Sequence, residues 1–176
     1  SIVSNFSLTD SQAISNRLVG LNFNNITFFN ISFCLNLRSM NEQSGITDCR
    51  FLNCDKAWEA TQCFFSNYKN IIIRHFKSDN TQYAVNFFRA SNRITIDGLC
   101  ISGGRLNGMK FGESGGVDKA SAQVNIINCS FEVLETAITL IGILYSVSIT
   151  NCYLEQLENF IIDDGDYKYN FITHSN

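Results

Sequence analysis

Glu132 and Glu135 recur 23 residues later as Glu155 and Glu158. If the chain returns to the same place after each such interval, Glu132 stacks on Glu155 and Glu135 on Glu158. Carboxylates about 5 Å apart cannot both ionise freely, so a general acid and a general base can coexist near neutral pH. Glycoside hydrolysis uses such a pair, about 5 Å apart for retention of configuration and wider apart for inversion. Glu132 and Glu155 are therefore the candidate catalytic pair. Tyr153, two residues before Glu155, offers an aromatic face for a sugar ring. Arg50, Lys77 and Arg105 could pair with acidic sugars. Asp79, Glu135, Glu158, Glu113 and Asp118 complete the candidate glycan contacts. A uronate lyase would instead need Lys or Arg beside an acidic sugar, or carboxylates around Ca²⁺.

Other chemical motifs carry less. Gly112-Glu-Ser114-Gly-Gly116 matches G-x-S-x-G, but no helical pattern follows it. The nucleophile elbow needs that helix and a His partner. The two histidines, His75 and His174, belong to a different part of the repeat. Asp163-Asp164-Gly165-Asp166 reads as a turn. No C-x-x-C pair occurs among the seven cysteines, so no zinc site is expected, and no cofactor or metal is assigned. Cys49, Cys129 and Cys152 fall at one repeat position and read as small buried hydrophobes in a reducing compartment. Trp58 shares its repeat position with Val85 and Ile138 and is expected in the core.

What must position these residues is the repeat. Val124-Asn-Ile126-Ile-Asn128-Cys129-Ser-Phe131 returns as Val147-Ser-Ile149-Thr-Asn151-Cys152-Tyr-Leu154. Apolar and polar residues alternate, an Asn interrupts, and alternation resumes out of phase. Period-2 alternation means strands, and a fixed period in the 20–50 range means stacked solenoid coils. Coil starts are expected at Ser1, Ile26, Ser44, Ile71, Ile94, Val124, Val147 and Asn170. The turn residue four places on is then Asn5, Asn30, Asp48, His75, Gly98, Asn128, Asn151 or His174. Asn suits a turn because it tolerates left-handed backbone and hydrogen-bonds its neighbours.

The Asn column (Asn5, Asn30, Asn128, Asn151) and the phrases Asn92-Arg-Ile-Thr-Ile96 and Ser146-Val-Ser-Ile149 resemble the right-handed parallel β-helix of the pectate-lyase-like superfamily. The chain is most like a bacteriophage tailspike or tail-fibre segment. The resemblance implies an all-β, right-handed, single-stranded parallel β-helix of about seven coils. It implies Asn side chains stacked along the turn. It also implies binding, and depolymerisation where catalytic, of bacterial surface polysaccharide such as capsule or O-antigen, by a homotrimer in a virion tail. Two alternatives stay open: a monomeric extracellular polysaccharide lyase or hydrolase, and a non-catalytic structural or adhesin rod.

Composition agrees with a narrow apolar core. The 176 residues are 45% hydrophobic, with 15 Phe. A net charge of −3 gives no reason to expect a nucleic-acid partner. No apolar run is long enough for a spanning helix, so membrane insertion is not expected. The whole chain, 1–176, reads as one β-helix segment of a longer protein, with a Gly- and Ser-rich loop protruding at about 112–122. Phe29, Ile72 and Ile127 phase outward and are expected to form one apolar strip for a homo-oligomeric contact.

Overall fold

In this computed structural model the described residues are 20–38, 43–74, 83–88, 92–103, 107–113, 122–142, 146–164 and 172–175. They contain strands and corners and no helix. The first rung is β1 (Asn22–Asn24), β2 (Thr27–Phe29) and β3 (Phe33–Arg38). The second is β4 (Gly45–Thr47), β5 (Arg50–Leu52) and β6 (Lys56–Thr61). The third is β7 (Asn67–Lys69), β8 (Ile72–Arg74) and β9 (Tyr83–Phe88). The fourth is β10 (Asn92–Asp97), β11 (Cys100–Ser102) and β12 (Asn107–Phe111). In the next two rungs the second and third strands fuse. These are β13 (Ala122–Ile127) with β14 (Ser130–Ile141), and β15 (Val147–Thr150) with β16 (Tyr153–Asp164). β17 (Ile172–Ser175) opens another rung.

Among the described residues every strand pairing is parallel and joins equivalent positions of successive rungs. The first strands form a seven-stranded sheet, β1-β4-β7-β10-β13-β15-β17. The second and third strands form two faces that β14 and β16 bridge into a single ten-stranded sheet. The protein is thus an all-β parallel β-helix with three faces.

The sharp corners have a backbone cause. Asn25, Asp48, Asn70, Asn128 and Asn151 all have φ between 52° and 54°, and Gly98 has 71°. One left-handed residue between two extended stretches turns the chain and shifts the in/out phase by one. Asn, Asp and Gly populate that region most readily. Side chains then ladder along the corner. Asn151 Nδ2 donates to Asn128 Oδ1 at 2.7 Å, and Asn128 Nδ2 donates to Asp97 Oδ1 at 2.9 Å. The reach to Asp97 follows from Gly98, which has no side chain to offer at the ladder position.

The phasing expected for the early rungs needs correction. Phe23, Ile46, Tyr68, Ile96, Ile126 and Ile149 are in register. The coils therefore do not start at Ile26 and Ile71, which both follow the first corner. Asn25, not Asn30, stands in the column of Asn128. Asn30 belongs to a second ladder, where Asn53 Nδ2 donates to its Oδ1 at 3.2 Å. The physical reason is that both corners use the same device. Asn30, Asn53, Gly103, Val133 and Gln156 also have positive φ, so either corner reads as alternation broken by one residue. The ladder side chains of Asn30, Asn128 and Asn151 are exposed rather than enclosed in the turn. Asn5 lies outside the described residues. His174 sits within β17, in register with Ile149, rather than at a corner.

Between the faces, apolar side chains stack in columns. Phe28 lies flat on Phe51 at 4.7 Å, Trp58 on Tyr68 at 5.4 Å, and Phe87 on Phe111 at 4.9 Å. Trp58 is fully buried, as expected for a core residue. The cysteines are free, and burial pushes the Cys49 thiol up. Gly112 and Gly142 lock the corner beyond the third face. A Cβ on Gly112 would collide with the Ile141 carbonyl, and one on Gly142 with the Glu113 carbonyl.

Candidate functional site

The carboxylate pair forms because β14 and β16 run in register. Ser130 pairs with Tyr153, Phe131 with Leu154, and Glu132 with Glu155. Parallel neighbours lie about 4.8 Å apart, so the two side chains leave adjacent strands side by side. Phe131 points into the core and is fully buried, so Ser130 and Glu132 on either side face out. Val133 then takes φ 57°, which resets the phase so that Leu134 packs inward and Glu135 emerges exposed. Glu158 emerges in the same way after Gln156, between the paired residues Leu157 and Asn159.

Each carboxylate of the pair is held by a hydroxyl two residues before it on the same strand face. Ser130 Oγ donates to Glu132 Oε1 at 2.6 Å. Tyr153 OH donates to Glu155 Oε2 at 3.0 Å. The Glu155 carboxylate holds the Tyr153 phenol above its ordinary range, because the phenol donates to it and because phenolate beside that charge is disfavoured. The Tyr153 ring is 57% exposed, which leaves it open for stacking. Ser130, Tyr153, Glu132 and Glu155 therefore form a compact square of polar groups on an open face.

The flanking residues fare differently. Arg50 is exposed, but it sits on β5, in the column Thr27–Arg50–Ile72–Cys100–Ser130–Tyr153, three strands away from Ser130. Arg74, which the early mis-phasing hid, occupies the column of Glu132 itself, separated from it by Ser102. Glu113 does not border the pair. It lies against Gly142, at the corner beyond the third face, and the far half of β14 separates it from Glu132. The distance arises because the lengthened coil inserts its extra residues after β12, not after β11. Lys77, Asp79, Arg105 and Asp118 lie outside the described residues, as does most of the loop at 112–122. Ser114 also lies outside them, and Asp163 and Asp164 end β16 instead of forming a turn.

The expected apolar strip does not exist as one strip. Ile127 is on the seven-stranded sheet in register with Asp97 and Thr150. Phe29 and Ile72 are on the second face in different columns, beside Leu52 and Arg50 respectively. Only Phe29 is widely exposed, at 63%, while Ile72 and Ile127 are half-buried.

Sequence reasoning also missed the outer side of the third face. Lys110 Nζ lies 5.3 Å from the centre of the Tyr83 ring and 5.5 Å from that of Phe88. Lys56 lies 5.1 Å from that of Phe33 and is paired with Glu59 at 3.1 Å. Cation–π packing of this kind flattens long side chains against the sheet. The signal was present as Lys and aromatic residues about one coil apart in sequence, but it needed the register of β9 and β12 to become visible.

No family model matches the chain, and no curated protein is significantly similar to it.

Proposed function

We propose that this β-helix binds an extended bacterial surface polysaccharide, capsule or O-antigen, across the outer face of β14 and β16. The observation that carries the reading is the square of Ser130, Tyr153, Glu132 and Glu155. Its two carboxylates each have one oxygen anchored by a hydroxyl, and the other oxygen is left for a ligand hydroxyl. The Tyr153 ring stands beside them as a platform. A repeating polymer suits a repeating surface, because successive sugars meet successive rungs. Glu135 and Glu158 extend the same polar band toward the third face.

The site lies on an open face, and Glu155 and Tyr153 are both exposed. Electrostatic stabilisation of a transition state is strongest where water is excluded. In a catalytic version of the site, Glu132 and Glu155 serve as acid and base. The resemblance to tailspike segments supplies the remaining parts of the proposal: a phage tail as the location, and a homotrimer with parallel axes as the assembly.

The test incubates the protein with purified capsule and O-antigen and follows binding by calorimetry. Released reducing ends and unsaturated uronates are assayed in parallel. Binding that weakens at least tenfold in Tyr153→Ala, with both carboxylates intact, supports the site. Turnover that falls by orders of magnitude in Glu132→Gln, with binding kept, assigns catalysis to the pair. Unchanged binding in a Tyr153→Ala/Glu155→Gln double variant refutes the placement on this face.

A further inference from the structure

A second polar surface lies on the seven-stranded sheet, away from the glutamate square. Arg93, Gln123 and Ser146 immediately precede the paired positions Ile94, Val124 and Val147, so they form one column along a corner. Thr95 and Asn125 are register partners in the next outward column. Together these five residues line an open groove of about 400 Å³. That lies within the range of small-ligand sites and has room for a sugar unit.

The groove contains one charge, and it is held in place. Arg93 Nε donates to Gln123 Oε1 at 2.8 Å, and the guanidinium lies over the Phe65 ring at 4.7 Å. These two contacts fix the plane of the guanidinium. No carboxylate pairs with it among the described residues. With Nε committed to Gln123, the two terminal nitrogens form a fork whose natural partner is a planar carboxylate. Around it are groups suited to sugar hydroxyls. Thr95 and Ser146 can donate or accept, and the Asn125 amide can do both at once. Arg93 and Gln123 both take φ 56°, unusual for long side chains, so the corner presents them side by side from successive rungs.

We propose that this groove binds a carboxylated sugar, a hexuronate-type unit, with its carboxylate on Arg93 and its hydroxyls on Thr95, Gln123, Asn125 and Ser146. The proposal is separate from the glutamate square, although both concern carbohydrate. The two surfaces differ in charge: the square presents carboxylates and the groove presents the Arg93 guanidinium. Arg93 is then a residue that selects acidic over neutral polymers.

The experiment titrates ¹⁵N-labelled protein with sodium glucuronate, glucose, sodium acetate and sodium sulfate. The readouts are the Arg93 Nε–H and the side-chain amides of Gln123 and Asn125. Glucuronate should shift all three saturably, at least tenfold more tightly than glucose or acetate. Arg93→Ala should abolish those shifts at the two amides. Arg93→Lys keeps the charge and stem but not the fork, and should weaken binding about tenfold. Its unchanged strand circular dichroism separates lost binding from lost fold. Glu132→Gln/Glu155→Gln should leave the glucuronate titration unchanged, so failure of the glutamate site and failure of the groove are told apart. Glucose binding as tightly as glucuronate, or no shift with glucuronate at 100-fold the protein concentration and above, overturns the proposal. Sulfate or acetate matching glucuronate would reduce the groove to a simple anion site and also overturn it.

Discussion

Replacing Asn128 tests the corner that aims Ser130 and Glu132 outward. Asn128→Ala removes two ladder bonds, one from Asn151 at 2.7 Å and one to the Asp97 carboxylate at 2.9 Å. Intramolecular hydrogen bonds are worth about 0.5–1.5 kcal/mol net. Both of these are exposed, so together they contribute roughly 1–2 kcal/mol. Asn128 also holds φ 54°, where a Cβ costs about 1–2 kcal/mol and Asn is better tolerated than Ala. The Ala variant should therefore lose roughly 2–3 kcal/mol in all. Asn128→Gly loses the same bonds but meets no steric cost at positive φ. It does carry an unfolded-state entropy cost of about 0.4–1 kcal/mol. Gly should thus be the milder change by roughly 0.5–1 kcal/mol, an ordering opposite to that in an ordinary strand.

The assay is urea unfolding followed by strand circular dichroism, with melting as a second measure. At about 2–4 °C per kcal/mol for a chain of this size, Asn128→Ala should melt roughly 5–10 °C below the parent. Asn128→Ala/Asn151→Ala should cost less than the sum of the single changes, because one hydrogen bond is counted in both. If Ala is as stable as Gly, the corner is not left-handed at Asn128. If Ala unfolds at the parent's midpoint, the ladder bonds contribute nothing.

Three further outcomes follow from the geometry. Tyr153 should titrate above the ordinary tyrosine value of 10, and Glu155→Gln should bring it back down, as read by ¹³C NMR of the ring. The sign is fixed: the contribution to stability is present below the unfolded-state value and is lost as pH rises through the folded one. Val133→Gly should stabilise the protein by about 1 kcal/mol, because a β-branched residue at φ 57° is strained and this one is 46% exposed; a lower urea midpoint would contradict that. For the proposed trimer, Phe29→Asp should shift light scattering toward monomer with an unchanged melting curve, and a monomeric parent would remove the assembly.

The strand pattern and the parallel stacking were legible in the sequence because one face of each strand must be buried. Val124, Ile126, Val147 and Ile149 declare that face by alternation alone. The two clearest rungs also gave the glutamate pair its correct partners, since equal spacing of 23 residues needs no knowledge of the corners. What was not legible was which corner a given Asn marks. Ile26–Asn30 and Ile71–His75 repeat the alternation of Val124–Asn128, so sequence alone places them in the same column. Only hydrogen-bond register separates them, and it moves Asn30, Ile72 and Phe29 to other columns.

That error bears directly on where a ligand can lie. A solenoid displays each residue on one of three faces, and a shift of one corner moves a side chain to a different face. Arg50 illustrates the point: its outward direction was read correctly, yet it is too far along the rod to share a sugar with Tyr153. Arg74 stands in the glutamates' own column and was overlooked. The Arg93 groove went unread for a different reason. The coil starts at Ile94, Val124 and Val147 align Arg93, Gln123 and Ser146, but only the folded corner shows the Arg93–Gln123 hydrogen bond and the Phe65 ring against the guanidinium. In a repeat of variable period, chemistry is carried by register, and register is set by the corners rather than by the strands.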